Sequence, residues 1–128
     1  MGNMTPRFFC PPWSSAARAL GLSLVVLTWS GCLTTRVQTL ARVVYGCSGG
    51  VEIRASYHQL SDGSLQWVKL TLPDGEERIL PHAVSASGDR YSEELDLDWW
   101  ARGDEAFART RDADGNWVPL YTDCFAKR

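Results

Sequence analysis

Residues 44–128 predict an all-β domain, a small antiparallel β-barrel of about eight strands closed by one disulfide. Three observations carry that prediction. Apolar residues recur with period two in short runs, and no run shows sustained helical spacing with caps. Asp-Gly pairs, the strongest short hairpin signal, break the runs at Asp62-Gly63, Asp74-Gly75 and Asp114-Gly115. Finally, the four cysteines sort by position. Cys10 and Cys32 lie near the N-terminus, which leaves Cys47 and Cys124 to bracket almost the whole domain.

The elements follow in order. Val51, Ile53, Ala55 and Tyr57 alternate with Glu52, Arg54 and Ser56, the pattern of a half-buried strand. After the first Asp-Gly turn, Leu65 and Trp67 share one face while Val68, Leu70 and Leu72 share the other, so a bulge is expected near Trp67. Pro73-Asp74-Gly75-Glu76 returns the chain into Arg78-Ile79-Leu80, and Pro81 should end that strand because it cannot donate to a ladder. Leu95-Asp96-Leu97-Asp98-Trp99 alternates again, and a Gly-centred turn at Arg102-Gly103-Asp104 leads into residues 105–110. The third Asp-Gly turn precedes Trp117-Val118-Pro119-Leu120-Tyr121 and Cys124. Trp67, Trp99 and Trp117 occupy positions able to face inward and read most simply as core. Trp100 breaks the alternation and is available to stack, either on a partner or on Arg102.

Ahead of this domain the chain reads as an export signal. Arg7 and Arg18 are its positive region, and residues 19–29 are an apolar run shorter than the roughly 20 residues that span a membrane. Residues 1–31 are thus a signal peptide ending in Ser30-Gly31 before Cys32, the pattern of a bacterial lipoprotein with Cys32 lipidated, although Trp29 stands where Leu is usual. Residues 32–43 follow as a tether, in which Val37 and Leu40 form a short apolar stripe with Val44. Leu33 rather than Asp after the cysteine fits passage to the outer membrane, with the domain facing the periplasm; without lipidation the domain is soluble in the periplasm. In an exported chain the remaining cysteine pair implies a disulfide worth about 4 kcal/mol by chain entropy. A competing zinc site lacks CxxC spacing and has only His58 and His82 to complete it.

Composition narrows the function. With 45% hydrophobic and 22% charged residues, the chain suits one soluble domain. The net charge is −2, but Arg7 and Arg18 belong to the leader, so from Cys32 onward 11 basic residues face 15 acidic ones, about −4. That balance argues against nucleic acid and fits a basic partner. Enzyme chemistry finds little support. The Ser85–Gly88 stretch lacks the leading Gly and the strand-to-helix turn of a nucleophile elbow. Glu93, Glu94, Asp96 and Asp98 read as a solvated face rather than a glycosidase pair, and Asp112 to Asn116 reads as a turn rather than a calcium loop. No metal or cofactor is called for.

Two polar segments remain, Ser85-Ala86-Ser87-Gly88-Asp89-Arg90-Tyr91-Ser92 and Arg102-Gly103-Asp104-Glu105-Ala106. A hydroxyl and a guanidinium presented together are donors that suit carboxylates. The segments resemble the paired signatures, roughly S-G-x-x-Y and K-G-D-E-A, of the bacterial membrane-bound inhibitors of c-type lysozyme. The resemblance covers about Tyr45 to Cys124 and implies a barrel fold, no catalysis, and a c-type lysozyme as partner. It implies an inhibitory serine at Ser87, with Gly88 and Tyr91 in the same signature, Arg102 and Gly103 in the second, and Cys47 bridged to Cys124. The family's Lys is here Arg102, and Asp89 stands where Ala is common, to be neutralised if Arg90 pairs with it. The other reading is an envelope lipoprotein that binds peptidoglycan or another envelope protein through Trp100 and the acidic strand. Mass spectrometry of the exported chain should find a mature N-terminus at Cys32 carrying acyl groups; an unmodified N-terminus would remove the anchor.

Overall fold

A computed structural model describes residues 34–128; the segment expected to be a leader, Cys10, and Cys32, the expected lipidation position, lie outside the described residues. Eight strands follow in sequence: β1 (Val37–Gly46), β2 (Glu52–Leu60), β3 (Gln66–Thr71), β4 (Glu77–Ala83), β5 (Asp89–Ser92), β6 (Leu97–Arg102), β7 (Glu105–Arg111) and β8 (Trp117–Ala126). Each pairs antiparallel with the next, and β8 returns to β1 to close the barrel. The Asp-Gly turns are where the hydrophobic pattern places them. Gly63, Gly75 and Gly115 take φ of 72°, 88° and 83°, conformations that cost a side chain dearly. Asp62 and Asp74 each accept the backbone N–H two residues on, at 3.0 and 2.9 Å, so the turn chemistry is local.

The period-two residues make the core. Ile53, Val68, Leu70, Leu80 and Trp99 are fully enclosed, with Ala55, Ala101, Ala106 and Ala108 among them. An eight-stranded barrel has room for side chains and little more, so a large ring needs small neighbours. Trp99 lies opposite Ala108 in the β6–β7 register. Its indole N–H donates to Tyr57 Oη at 3.1 Å, and the Tyr57 and Tyr45 hydroxyls are 3.2 Å apart. The one enclosed indole among the described residues therefore has its polar atom satisfied.

Closure is narrow. Only Tyr45↔Ala126 and Gly46↔Phe125 join β1 to β8. Cys47 and Cys124 are bonded beside that seam, and Lys127 N–H donates to the Val44 carbonyl at 2.8 Å. The bridge spans 77 residues and latches the first strand's exit to the last strand.

Several expectations are corrected by the register. β1 begins at Val37, so most of the segment assigned to the tether is strand, paired along Val37↔Leu60 to Gly46↔Glu52. No bulge lies near Trp67; register shifts fall at Thr39/Ala41 and around Ala108. Trp67 and Trp117 are not core. Both sit part-exposed on the outside, Trp67 stacked on His58 and Trp117 beneath Arg111. Pro81 does not end β4, because β5 pairs with β4 only at His82 and Ala83 and leaves Pro81 a neighbour on one side. The strand expected from Leu95 starts at Leu97, and Leu95 is 84% exposed in the loop before it. Replacing both Cys47 and Cys124 by Ser should cost about 4 kcal/mol in urea unfolding, the chain-entropy value for so long a loop; an unchanged midpoint would show that the seam holds without its latch.

Candidate functional site

Alternate strand directions bring the β4–β5 and β6–β7 connections to one end of the barrel. Asp89↔Ala101 pairing of β5 with β6 then sets the two connections side by side. Gly88 marks the closest approach. It takes φ of 71°, and a Cβ built there would lie 2.9 Å from the Ala101 carbonyl oxygen and 3.4 Å from Arg102 Cβ. Backbone cannot give way cheaply, so the residue after Ser87 has to be glycine. Ser85 Oγ donates to the Gly88 carbonyl at 2.5 Å and lies 3.3 Å from the Ser87 carbonyl, which ties the loop to itself.

The tip presents free donors. Ser87 and Arg102 are exposed and line one groove of about 630 Å³. Among the described residues neither the Ser87 hydroxyl nor the Arg102 guanidinium has a partner. Arg54, Arg78, Arg90, Arg109 and Arg128, by contrast, all hold carboxylates. Tyr91 does not reach the surface. It is 6% exposed, its ring packs on Tyr57 and His82, and burial followed by the Asp89 charge pushes its phenol up to about 12. It braces β5 from within.

The acidic stretch is only partly a solvated face: Glu94 and Asp96 are exposed, Glu93 is half-buried and Asp98 is enclosed. Glu93 and Asp96 both pair with Arg78. Asp98 is wholly enclosed although it points outward, because Arg90, Arg109 and Trp100 close over it. Arg90 Nε and Nη2 each lie 3.1 Å from Asp98 Oδ1. Burial pushes the Asp98 carboxyl up, but hydrogen bonds from Ser92, Arg90 and Arg109 outweigh it and hold the pKa below the usual carboxylate value. Arg90 is therefore spent on Asp98 and does not neutralise Asp89, which turns to His82 Nε2 at 3.7 Å. Trp100 stacks on Phe107, with centroids 5.8 Å apart, and lies under Arg90 and Arg109 rather than Arg102. Sequence reasoning missed the Ser85 brace, although a serine two residues before a Gly-flanked tip is a legible loop signal. It also missed the Asp98 cluster, whose two arginines come from different strands.

A latched meander bearing a braced tip and an unpaired guanidinium is a small recognition barrel. The chain belongs to the family described as membrane-bound lysozyme-inhibitor of c-type lysozyme, whose model matches residues 45–117 and so spans both loops. A curated relative from Cupriavidus necator, named membrane-bound lysozyme inhibitor of C-type lysozyme, is 30% identical over 112 residues, covering 88% of this chain and 78% of the relative.

Asp98→Asn removes the charge that two arginines enclose. It should cost about 2 kcal/mol at neutral pH, less than for a fully buried pair because both guanidinium groups can reach water. The sign with pH is fixed: a carboxyl held low when folded stabilises above its unfolded pKa of about 3.9, and that contribution is lost as pH falls through the folded value. The gap between wild type and Asp98→Asn should therefore close on acidification below about pH 4, read by chemical unfolding at several pH values. A gap independent of pH would deny Asp98 its charged role.

Proposed function

We propose that this barrel inhibits c-type lysozyme by inserting the Ser87–Gly88 tip, with Arg102 beside it, into the partner's catalytic cleft. The observation that carries the reading is the juxtaposition at Gly88, which sets a free hydroxyl next to a free guanidinium on one rim. C-type lysozymes work with two carboxyl groups, one kept protonated by an apolar setting and one ionised. The Arg102 fork suits the ionised partner. The Ser87 hydroxyl both donates and accepts, so it can satisfy the other in either protonation state. The loop is already held by Ser85, which lowers the ordering cost of entering a narrow cleft. No peptide or glycan bond of the inhibitor is offered for cleavage in the sugar subsites, and the plug stays intact.

The surroundings serve encounter rather than contact. Much of the acidic stretch is matched by the barrel's own arginines, but the exported part retains a net charge of about −4, with 15 acidic against 11 basic residues. Such a field draws a basic protein without adding a buried pair for each acid. Lipidation of Cys32 would hold the barrel at the outer membrane facing the periplasm, where a lysozyme crossing the envelope arrives.

Lysozyme turnover on a peptidoglycan suspension, titrated with the purified barrel, tests the reading; no inhibition at micromolar excess would overturn it. Ser87→Ala together with Arg102→Ala should weaken inhibition by roughly a hundredfold, the combined value of two hydrogen bonds to charged groups. Both side chains are exposed, so the double variant should fold as the parent does, and full potency in that folded protein would move the site elsewhere.

A further inference from the structure

We infer that the groove bounded by β6, β7 and β8 is a second docking surface for the same lysozyme, with Phe107 and Phe125 as its apolar anchors. The inference rests on the inhibitor reading above and extends it from the tip to the flank. Ser87, Arg102, Phe107 and Phe125 all line this one groove. The two rings are 40% and 52% exposed. A specific protein interface covers about 800 Å² on each partner. A Ser-Gly tip and one guanidinium supply only part of such an area, so the cleft's lip has to rest on a flank.

The flanks differ in chemistry. The β4–β5 side is lined by His82, Arg90, Glu93 and Glu94, charged or polar groups already engaged within the barrel or exposed to water. The β7–β8 side is apolar and held rigid. Phe107 stacks on Trp100 at 10° between planes, and Phe125 follows the disulfide-bonded Cys124 and pairs across to Gly46 and Glu105. Rigid aromatic anchors lose little entropy on binding and dominate interface energetics. A bulge shapes the space between them. Ala106 pairs with Cys124 and Ala108 with Tyr121, so Thr122 and Asp123 together face Phe107 alone, and Asp123 takes φ of 49°. Bulges bend a strand and re-aim its side chains, and here both residues of the bulge, Thr122 and Asp123, line the groove. The charge at the edge selects the occupant. Glu105 and Asp123 border the groove against the one unmatched cation among its described lining residues, Arg102, Arg109 being held by Asp98, and the domain around it carries 15 acidic against 11 basic residues from Cys32 onward, which suits a basic protein rather than an acidic one.

The test compares dissociation of a c-type lysozyme from four immobilised proteins, by interferometry: wild type, Phe107→Ala with Phe125→Ala, Arg102→Ala, and Ile79→Ala. Ile79 is 62% exposed on β4 and lies outside the groove, so it reports the effect of trimming any exposed apolar residue. The phenylalanine pair should speed dissociation at least about tenfold, and that factor should persist at high salt, whereas the Arg102→Ala loss should shrink as salt screens the charge. Near-UV circular dichroism and the unfolding midpoint check that the pair variant folds. Parent-like dissociation from the folded pair variant overturns the second surface, as does an equal effect of Ile79→Ala. Sedimentation of wild type as a dimer that the pair variant dissolves would assign the groove to a second copy and overturn it too. A wild type that does not bind lysozyme at all removes the inhibitor reading itself, and this inference with it.

Discussion

Everything on this barrel hangs on a seam only two residue pairs wide. Tyr45↔Ala126 and Gly46↔Phe125 are all that turn a curled meander into a closed cylinder. A sheet with free edges would expose backbone donors and acceptors along β1 and β8 and leave Trp99 less well enclosed. The disulfide and the Lys127 contact to Val44 concentrate cross-links where the ladder is shortest. Their position also governs the candidate site. Cys124 and Phe125 line the same groove as Ser87, so the seam and the candidate site share residues.

The second constraint acts on charge. A carboxylate with no exposed surface on the outside of a barrel is an expensive arrangement unless every lone pair is answered. Asp98 is answered by Arg90, Arg109, Ser92 and the Trp100 indole, groups drawn from β5, β6 and β7. The cluster therefore pins three strands at the positions that flank the tip. Arg90 lies two residues beyond Gly88, and its engagement with Asp98 limits how far the loop's exit can swing. Arg102 stays available although Glu105 lies opposite it in the β6–β7 register, while the neighbouring Asp104 is matched by Arg128.

Much of this was legible before any coordinates. Strand positions followed from alternation and the hairpins from Asp-Gly, because both signals are local and each turn is closed by its own aspartate. The cysteine pair emerged by position. What local patterns could not supply was capacity and partnership. Three tryptophans at alternating positions look like core, yet an eight-stranded interior already lined by alanines accommodates Trp99 alone, and Trp67 and Trp117 are displaced to the outside. Asp98 looked solvated because its arginines come from Arg90 and Arg109, which only the register of β5, β6 and β7 brings together. Of the rim, the residue types were readable; the reason for Gly88 was not, since it depends on a carbonyl oxygen thirteen residues away at Ala101.

That carbonyl makes the tip specific. A Ser-Gly loop in isolation samples many backbone states, and fixing them on binding would consume much of the gain from two charge-assisted hydrogen bonds. Here the ordering takes place on folding. Gly88 is pressed against Ala101, Ser85 holds the loop's carbonyls, and Tyr91 packs the strand from inside. The hydroxyl then stands in the loop that leads into β5 and the guanidinium at the end of β6, and the separation of those two strands is set by β-ladder hydrogen bonding. Arg102 in place of a lysine fits this logic. Its charge is delivered by a planar fork that a fixed platform can aim, whereas a mobile loop would waste the geometry. Asp89, beside the tip, has His82 as its neighbour: the β4–β5 pairing of His82 with Tyr91 brings the imidazole within 3.7 Å of its carboxylate. On the proposed function, the barrel's rigidity would thus be the source of recognition, and the loop's polarity would decide what is recognised.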